Sequence, residues 1–177
     1  MAEPSAQTDN AKTADELGIL ARRKIEAAVI APIYEEMRAA FGEESARDVL
    51  RRAIRRAAIA AGAEMAARTP GGADLESFKS ILHLWTQDDA LTIEVLAEVP
   101  GVLDFNVRRC RYAETYRAMG LGEIGVFLSC NRDGAFCEGY DPRIELTRTQ
   151  TIMGGASHCD FRYRAGTPDA EPKVAEP

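Results

Sequence analysis

The sequence predicts an α+β fold, with a helical N-terminal half packed on an antiparallel sheet of about four strands. Helical periodicity dominates the first half, and two pairs of alternating segments follow, separated by a further helical stretch. Strands do not alternate with helices in the way that builds a parallel sheet. This order of helices, hairpin, helices and hairpin therefore favours an antiparallel sheet covered by helices.

The first helices are bounded by clear sequence signals. Thr13 or Asp15 is expected to cap a helix that reaches Phe41, with Pro32 kinking or restarting it. A second helix is expected over 43–68, because small and apolar residues recur there with a 3.6-residue period. Residues 1–12 and 165–177 are small and polar, so we expect two disordered tails around a single domain over 13–164.

The middle of the chain supplies a capped helix and the first hairpin. Asp74 is expected to cap a helix with a buried apolar stripe, and alternating runs at 91–98 and 102–109 surround the turn at Pro100-Gly101. The stretch YAETYRAMG predicts a helix that ends at Gly120. Two more segments, EIGVFLSC and the short helix 131–139, are expected to be helical or buried.

The second hairpin is expected in LTRTQTIMGGASHCDFRY, residues 146–163. Alternation continues from Ile144 to Ile152, and Gly154-Gly155 is expected to make the tight turn. The return strand places His158, Asp160 and Arg162 on one face and Cys159, Phe161 and Tyr163 on the other. A strand that only filled a core would carry fewer polar groups, so we interpret this hairpin as part of a chemical site.

Composition excludes several classes of protein. The chain has 177 residues, enough for one domain with a sizeable core, and a net charge of −6 argues against nucleic acid as partner. The N-terminus lacks the features of a secretory signal, and no apolar run approaches the ~20 residues that span a bilayer. We therefore expect a cytoplasmic protein without a membrane partner, whose four cysteines are free thiols. Homo-oligomerisation is left open.

Three clusters combine thiols with carboxylates, arginines and hydroxyls. On a helix, Cys110 and Glu114 would share a face, as would Cys130 and Asp133. The third cluster is the second hairpin. A thiolate is a strong nucleophile when a nearby cation lowers its pKa, although a buried cysteine can also serve only as a small apolar residue.

Other kinds of site fit the sequence less well. Cys110, Cys130, Cys159 and His158 would make a sensible zinc set, but their spacing is irregular and no compact ligand pair occurs. We therefore expect no metal. A GxSxG nucleophile elbow, a P-loop and a GxGxxG fingerprint are all missing from the sequence.

Three motifs together resemble the L-2-amino-thiazoline-4-carboxylic acid hydrolase family: CRYAETYRAMGLGEIGVFLSCNRD, the EGYDP loop and LTRTQTIMGGASHCDFRY. The resemblance covers about residues 75–164. It implies hydrolysis of a C–N or C–S bond in a small cyclic amidine or isothiourea, such as 2-amino-thiazoline-4-carboxylate, to give an N-carbamoyl amino acid. No organic cofactor is implied. Cys137 matches no family requirement and is interpreted as a packing residue.

The chemistry of that reaction suggests roles for the candidate residues. Cys159 is the expected nucleophile and Cys130 the second choice, while His158, Glu114 or Asp133 would supply a proton. In a second route, a carboxylate activates water and the cysteines only shape the pocket. Arg148 is expected to bind the substrate carboxylate, and the remaining substrate-binding candidates are Cys110, Asn131, Thr149 and Thr151.

A different class of function also fits. The last strand pair is similar to that of small-molecule-binding regulatory domains of the 4-vinyl-reductase type. In such a domain the cysteines would bind or sense a ligand without turnover. Steady product formation, as opposed to stoichiometric binding, distinguishes the two functions.

Overall fold

The predicted α+β architecture is confirmed. The computed structural model describes residues 17–166, so the two predicted tails and the cap at Thr13 or Asp15 fall partly or wholly outside it. In chain order the elements are α1 (Ile19–Phe41), α2 (Glu43–Ala67), α3 (Leu75–Ile81), α4 (His83–Thr86), β1 (Leu91–Val99), β2 (Val102–Cys110), α5 (Arg111–Ala118), a π-helical turn (Val126–Cys130), α6 (Asn131–Tyr140), β3 (Ile144–Thr147) and β4 (Cys159–Ala165).

Helix α1 continues past its proline. It runs from Ile19 to Phe41 as one helix, so it does not restart at Pro32. Pro32 is exposed, which lets water hydrate the carbonyl group that has lost its helical partner. On the opposite side, Ala27 and Tyr34 are buried and hold the helix against the core.

Helices α2 and α6 pack with their backbones in contact. A methyl group added at Gly62 would lie 2.2 Å from the Phe136 carbonyl oxygen, and one added at Gly139 would lie 1.9 Å from that of Ile59. Only glycine permits this approach. The contact fixes α6, which carries Asp133, against the long helix α2.

The sheet has the order β1-β2-β4-β3, with all neighbouring strands antiparallel. The predicted hairpin between β1 and β2 is confirmed, with Gly101 at φ +75° in its turn. One sheet face is buried against the helices, where the ring of Phe78 on α3 lies 5.1 Å from that of Tyr163. The predicted cap of α3 is also present, since Asp74 and Ser77 form a capping box.

The second hairpin is longer and less regular than predicted. β3 ends at Thr147, and residues 148–158 form a loop instead of a strand and a tight turn. The Asp160 carboxylate accepts hydrogen bonds from the backbone N–H groups of Thr149 (3.0 Å) and Gln150 (2.8 Å), which removes them from strand pairing. The predicted strand over 148–152 is therefore wrong.

Among the described residues, no helix is both long and apolar enough to cross a membrane.

Candidate functional site

A cavity of about 280 Å³ lies between the helices and the buried face of the sheet. Phe105, Phe161 and Tyr163 of the sheet form one wall, and Trp85 and Phe136 form another. The polar end is built from thiols and charged groups. An enclosed, largely apolar space with a few convergent polar groups is typical of small-molecule sites.

Three of the four cysteines line the cavity. Cys110 ends β2, Cys130 ends the π-helical turn and Cys159 begins β4. The chain therefore brings one thiol from each of the three predicted clusters to the same cavity. Cys137 packs in the core instead, with 1% of its surface exposed.

Burial keeps these thiols protonated at neutral pH. It raises the pKa of Cys110 to about 11 and that of Cys130 to about 12. The pKa of Cys159 is also raised by burial, but two contacts oppose this shift. The Ile152 N–H donates a hydrogen bond to its Sγ atom at 3.2 Å, and the Arg148 cation favours the thiolate.

Asp133 and Arg148 form an ion pair at the polar end of the cavity. Arg148 Nη1 donates to Asp133 Oδ2, and Arg148 Nη2 donates to the Cys130 carbonyl at 3.0 Å. The guanidinium also lies 5.1 Å from the centre of the Phe161 ring. Burial raises the pKa of Asp133, and Arg148 opposes that rise. Asp133 lies deep in the protein, but 24% of its side-chain surface remains accessible because it borders the cavity.

Arg148, the predicted carboxylate ligand, lines the cavity, but its guanidinium is already committed. One amino group pairs with Asp133 and the other with a backbone carbonyl. It is therefore poorly placed to bind a substrate carboxylate through both amino groups.

Five other predicted site residues lie away from the cavity. Glu114 is on the surface, where Arg109 donates to both of its oxygens at 2.8 and 3.0 Å. His158 turns away from the thiols and contacts Gln150 and Ser157. Asn131 does not line the cavity, and Thr149 and Thr151 border only a shallow outer depression. His158 lies in the loop just before β4, and the early end of β3 leaves both threonines in the same loop.

The structure also separates the members of the zinc set. His158 is not among the cavity residues that include the three thiols. Within residues 17–166, no group of three or more His, Cys, Asp or Glu side chains is arranged to hold a metal ion.

Arg23 and Arg132 were not among the predicted site residues, yet both line the cavity. Arg23 comes from α1 and Arg132 from α6. Arg23 Nη1 lies 2.5 and 2.6 Å from the two oxygens of Glu26, and Arg132 Nη2 lies 3.0 Å from one of them. Arg132 stands next to Asp133 in the quoted motif, which was a usable signal. Arg23 lies in a helix that carries no motif, so no sequence signal pointed to it.

Comparisons with known proteins give a family and remote structural likenesses. A sequence model of the family described as L-2-amino-thiazoline-4-carboxylic acid hydrolase matches residues 22–163. No curated protein sequence matches the chain. Among solved structures, the phenol-responsive sensory domain of the transcription activator PoxR, solved with phenol, is 17% identical with a TM-score of 0.49. That match covers 78% of this chain and 74% of the sensory domain.

Proposed function

This chain belongs to the L-2-amino-thiazoline-4-carboxylic acid hydrolase family, and we propose that it hydrolyses a small cyclic amidine or isothiourea. The ring of 2-amino-thiazoline-4-carboxylate is the model substrate, and the product is an N-carbamoyl amino acid. The observation that carries the proposal is a single cavity of about 280 Å³ in which three thiols meet a buried acid and its arginine partner.

The size and lining of the cavity suit such a ring. Small-molecule sites begin at roughly 300 Å³, so this cavity would accept a compact ligand and little more. The aromatic wall would stack on a flat heterocycle, while Asp133 faces the same space as a hydrogen-bond acceptor for a protonated amidine.

We assign Cys159 as the nucleophile because its thiolate has the best support. It alone among the cavity thiols combines a backbone N–H donor with an arginine that favours ionisation. Asp133 would act as the acid–base group, since its raised pKa brings proton exchange closer to neutral pH.

The reaction would proceed in two displacements. The Cys159 thiol gives its proton to Asp133 as Sγ adds to the ring carbon bonded to sulfur and two nitrogens. The bond from that carbon to the ring sulfur then breaks, and the ring sulfur takes the proton from Asp133. This leaves an isothiourea on Cys159.

Water completes the cycle. It adds to the same carbon and gives one proton to Asp133, and the remaining hydroxyl proton passes to the imino nitrogen, which becomes the NH2 of the carbamoyl group as the new carbonyl forms. The bond to Sγ breaks, and Asp133 returns its proton to Cys159. The product carries a free thiol and a carbamoyl group.

A binding function without turnover is the second candidate, and one specific observation favours it. Burial raises the pKa of every cavity thiol, so none is a thiolate at rest. A pocket that only recognises a ligand needs no thiolate. In that function the ligand would stay intact at one equivalent per chain.

A panel of thiazolines, hydantoins and related rings tests the proposal. The purified protein should open at least one ring with many turnovers per chain, and added chelator should not change the rate. Binding of a ring without any ring-opened product would favour the second candidate. Inactivity and lack of binding across the whole panel would contradict both.

A further inference from the structure

The cavity carries an excess of positive charge in a protein whose net charge is −6. Five arginines line it and only two acids, Glu64 and Asp133, do so; the arginines are Arg22, Arg23, Arg68, Arg132 and Arg148. Glu26 adds a third carboxylate through its contacts with Arg23 and Arg132. Five cations therefore face three anions.

The unmatched charge is concentrated where Arg23 and Arg132 share Glu26. Arg132 keeps 13% of its side chain exposed and Arg23 keeps 20%, so both guanidiniums are largely removed from water. Glu26 balances only one of them. The Nε atom of Arg132 donates a hydrogen bond to the Leu128 carbonyl at 2.8 Å. Burial, and then the neighbouring Arg23, lowers the pKa of Arg132, as expected for a cation that lacks a full counter-charge.

The other arginines are less suitable for binding an anion. Arg148 is paired with Asp133, Arg68 is paired with Glu64 on the exposed rim, and Arg22 is unpaired among the described residues but exposed, so water already solvates its charge. Buried cations without a matching charge are costly, and a bound anion would remove that cost. An arginine fork matches a carboxylate in shape as well as in charge.

We infer that the Arg23–Arg132 end of the cavity is a carboxylate-binding subsite, which restricts ligands to small monoanions. The inference rests on the proposed function for the ring and deepens it by naming the group that orients that ring. With the carboxylate at Arg132, the reacting carbon would be directed toward the thiols and Asp133, which line the same cavity.

A matched ligand pair tests the subsite: 2-amino-thiazoline-4-carboxylate and its uncharged 4-carboxamide. The wild-type protein should bind the acid at least ~10-fold more tightly, measured as Kd by calorimetry or as KM if the ring is opened. Arg132→Gln should remove that preference with a smaller effect on kcat. Arg68→Gln, on the rim, should retain it.

A second variant has the opposite expected sign. Glu26→Gln frees both guanidiniums and should increase the preference for the acid, a change that a purely structural role for Glu26 would not produce. If Arg132→Gln does not fold, Arg23→Gln takes its place. Equal binding of acid and amide by the wild type, or an unchanged preference in the arginine variants, would overturn the subsite.

The outcome is separable from that of the proposed function. A protein that prefers the acid but never opens the ring would uphold the subsite and contradict the hydrolase. A protein that opens the acid and the amide with the same KM would uphold the hydrolase and contradict the subsite.

The outer face of α1 carries an exposed apolar stripe. Ile25, Val29 and Ile33 follow one another at intervals of four and are 56%, 59% and 53% exposed. Arg22 and Glu36 lie on the same face, at the two ends of this apolar stripe. Within residues 17–166, neither charged side chain forms an ion pair.

The geometry points to a second copy of this chain as the partner of that face. Two α1 helices packed antiparallel about a two-fold axis at Val29 would place Ile25 opposite Ile33 and Arg22 opposite Glu36. The stripe is therefore self-complementary in shape and in charge. Arg22 also borders the cavity, so the contact would begin beside its rim.

Charge exchange tests the dimer by analytical ultracentrifugation over a dilution series. Arg22→Glu and Glu36→Arg should each weaken self-association at least ~5-fold, and the double variant should restore it. A mixture of the two single variants should form a heterodimer tighter than either homodimer.

Two lysine variants give the control. Val29→Lys should abolish the dimer, whereas Val95→Lys, at a comparably exposed valine on β1, should not. A monomer at every concentration would overturn the proposal, whatever else then covers α1. Loss of the dimer in Val95→Lys but not in Val29→Lys would overturn it too.

Discussion

At the scale of single residues, the chemistry depends on which buried groups can lose a proton. The Cys110 and Cys130 thiols have pKa values of about 11 and 12, so neither is ionised at neutral pH. Burial raises the pKa of Asp133, which makes its carboxylate a stronger base. In the proposed mechanism, catalysis by a cysteine would therefore use proton transfer to Asp133 and not a resting thiolate.

Replacement of the cysteines one at a time separates these roles. Cys159→Ala should lower kcat by at least ~100-fold, because the nucleophile is removed. Cys110→Ala should retain most of the activity. Cys130→Ala should have an activity between those of the other two variants. Steady-state kinetics measures this, with folding checked by circular dichroism. Cys137→Ala is the matched control, since it removes a buried thiol outside the cavity.

Two results would contradict this assignment. If Cys130→Ala is inactive while Cys159→Ala turns over normally, the nucleophile lies at the end of the π-helical turn. If all three cavity variants stay active, water activated by Asp133 replaces covalent catalysis.

Local patterns predicted some of these residues and missed others for physical reasons. The pair Cys130 and Asp133 could be found because a three-residue spacing places both on one helical face. Arg23 could not, because its position depends on how α1 packs against α2 and α5. Glu114 lies four residues from Cys110, a spacing that would also share a helical face, yet Arg109 holds it at the surface.

At the scale of elements, the contact between α2 and α6 positions Asp133. Gly139→Ala should destabilise the protein by about 3 kcal/mol or more, because the added methyl group would meet the Ile59 carbonyl. Gly134→Ala, in the same helix, has no atom within 4 Å of the new methyl group and should stabilise the protein by about 0.5–1 kcal/mol. Urea denaturation measures both, and equal effects would contradict the close contact.

The Asp160 carboxylate organises the loop that carries Arg148. Although burial opposes ionisation, hydrogen bonds from Thr149 and Gln150 lower the pKa of Asp160. Asp160→Asn should weaken these bonds, cost about 1 kcal/mol of stability and reduce kcat/KM. Hydrogen exchange should show faster exchange at the Thr149 and Gln150 amides. Unchanged exchange there would show that the loop is held by other contacts.

This loop marks the limit of what alternation could predict. The sequence alternates through Ile152, and strand propensity alone would continue β3 to that point. A carboxylate from β4 takes the two backbone donors that a longer β3 would need. Such competition between a side chain and a strand depends on tertiary contacts, whereas the β1–β2 hairpin was set by its local turn.

At the scale of the whole molecule, the buried thiols make stability sensitive to alkaline pH. Cys137 has a pKa of about 12 in the folded protein, compared with ~8.5 in an unfolded chain. The unfolded state therefore loses its proton first, and stability falls as the pH rises above ~8.5. The urea midpoint should decrease between pH 8 and 10, less steeply in Cys137→Ala. A midpoint that stays constant over this range would contradict the shift.

Ring opening, as opposed to binding alone, separates the proposed hydrolase from a ligand-binding domain. The most direct measurement uses 2-amino-thiazoline-4-carboxylate labelled with ¹³C at the carbon between sulfur and the two nitrogens. Excess labelled ring is incubated with the protein and followed by NMR. If the protein is a hydrolase, the ring-carbon resonance is replaced by that of an N-carbamoyl carbon, over many turnovers per chain. A resonance that shifts on binding, saturates at one equivalent and never becomes a carbamoyl signal would contradict hydrolysis.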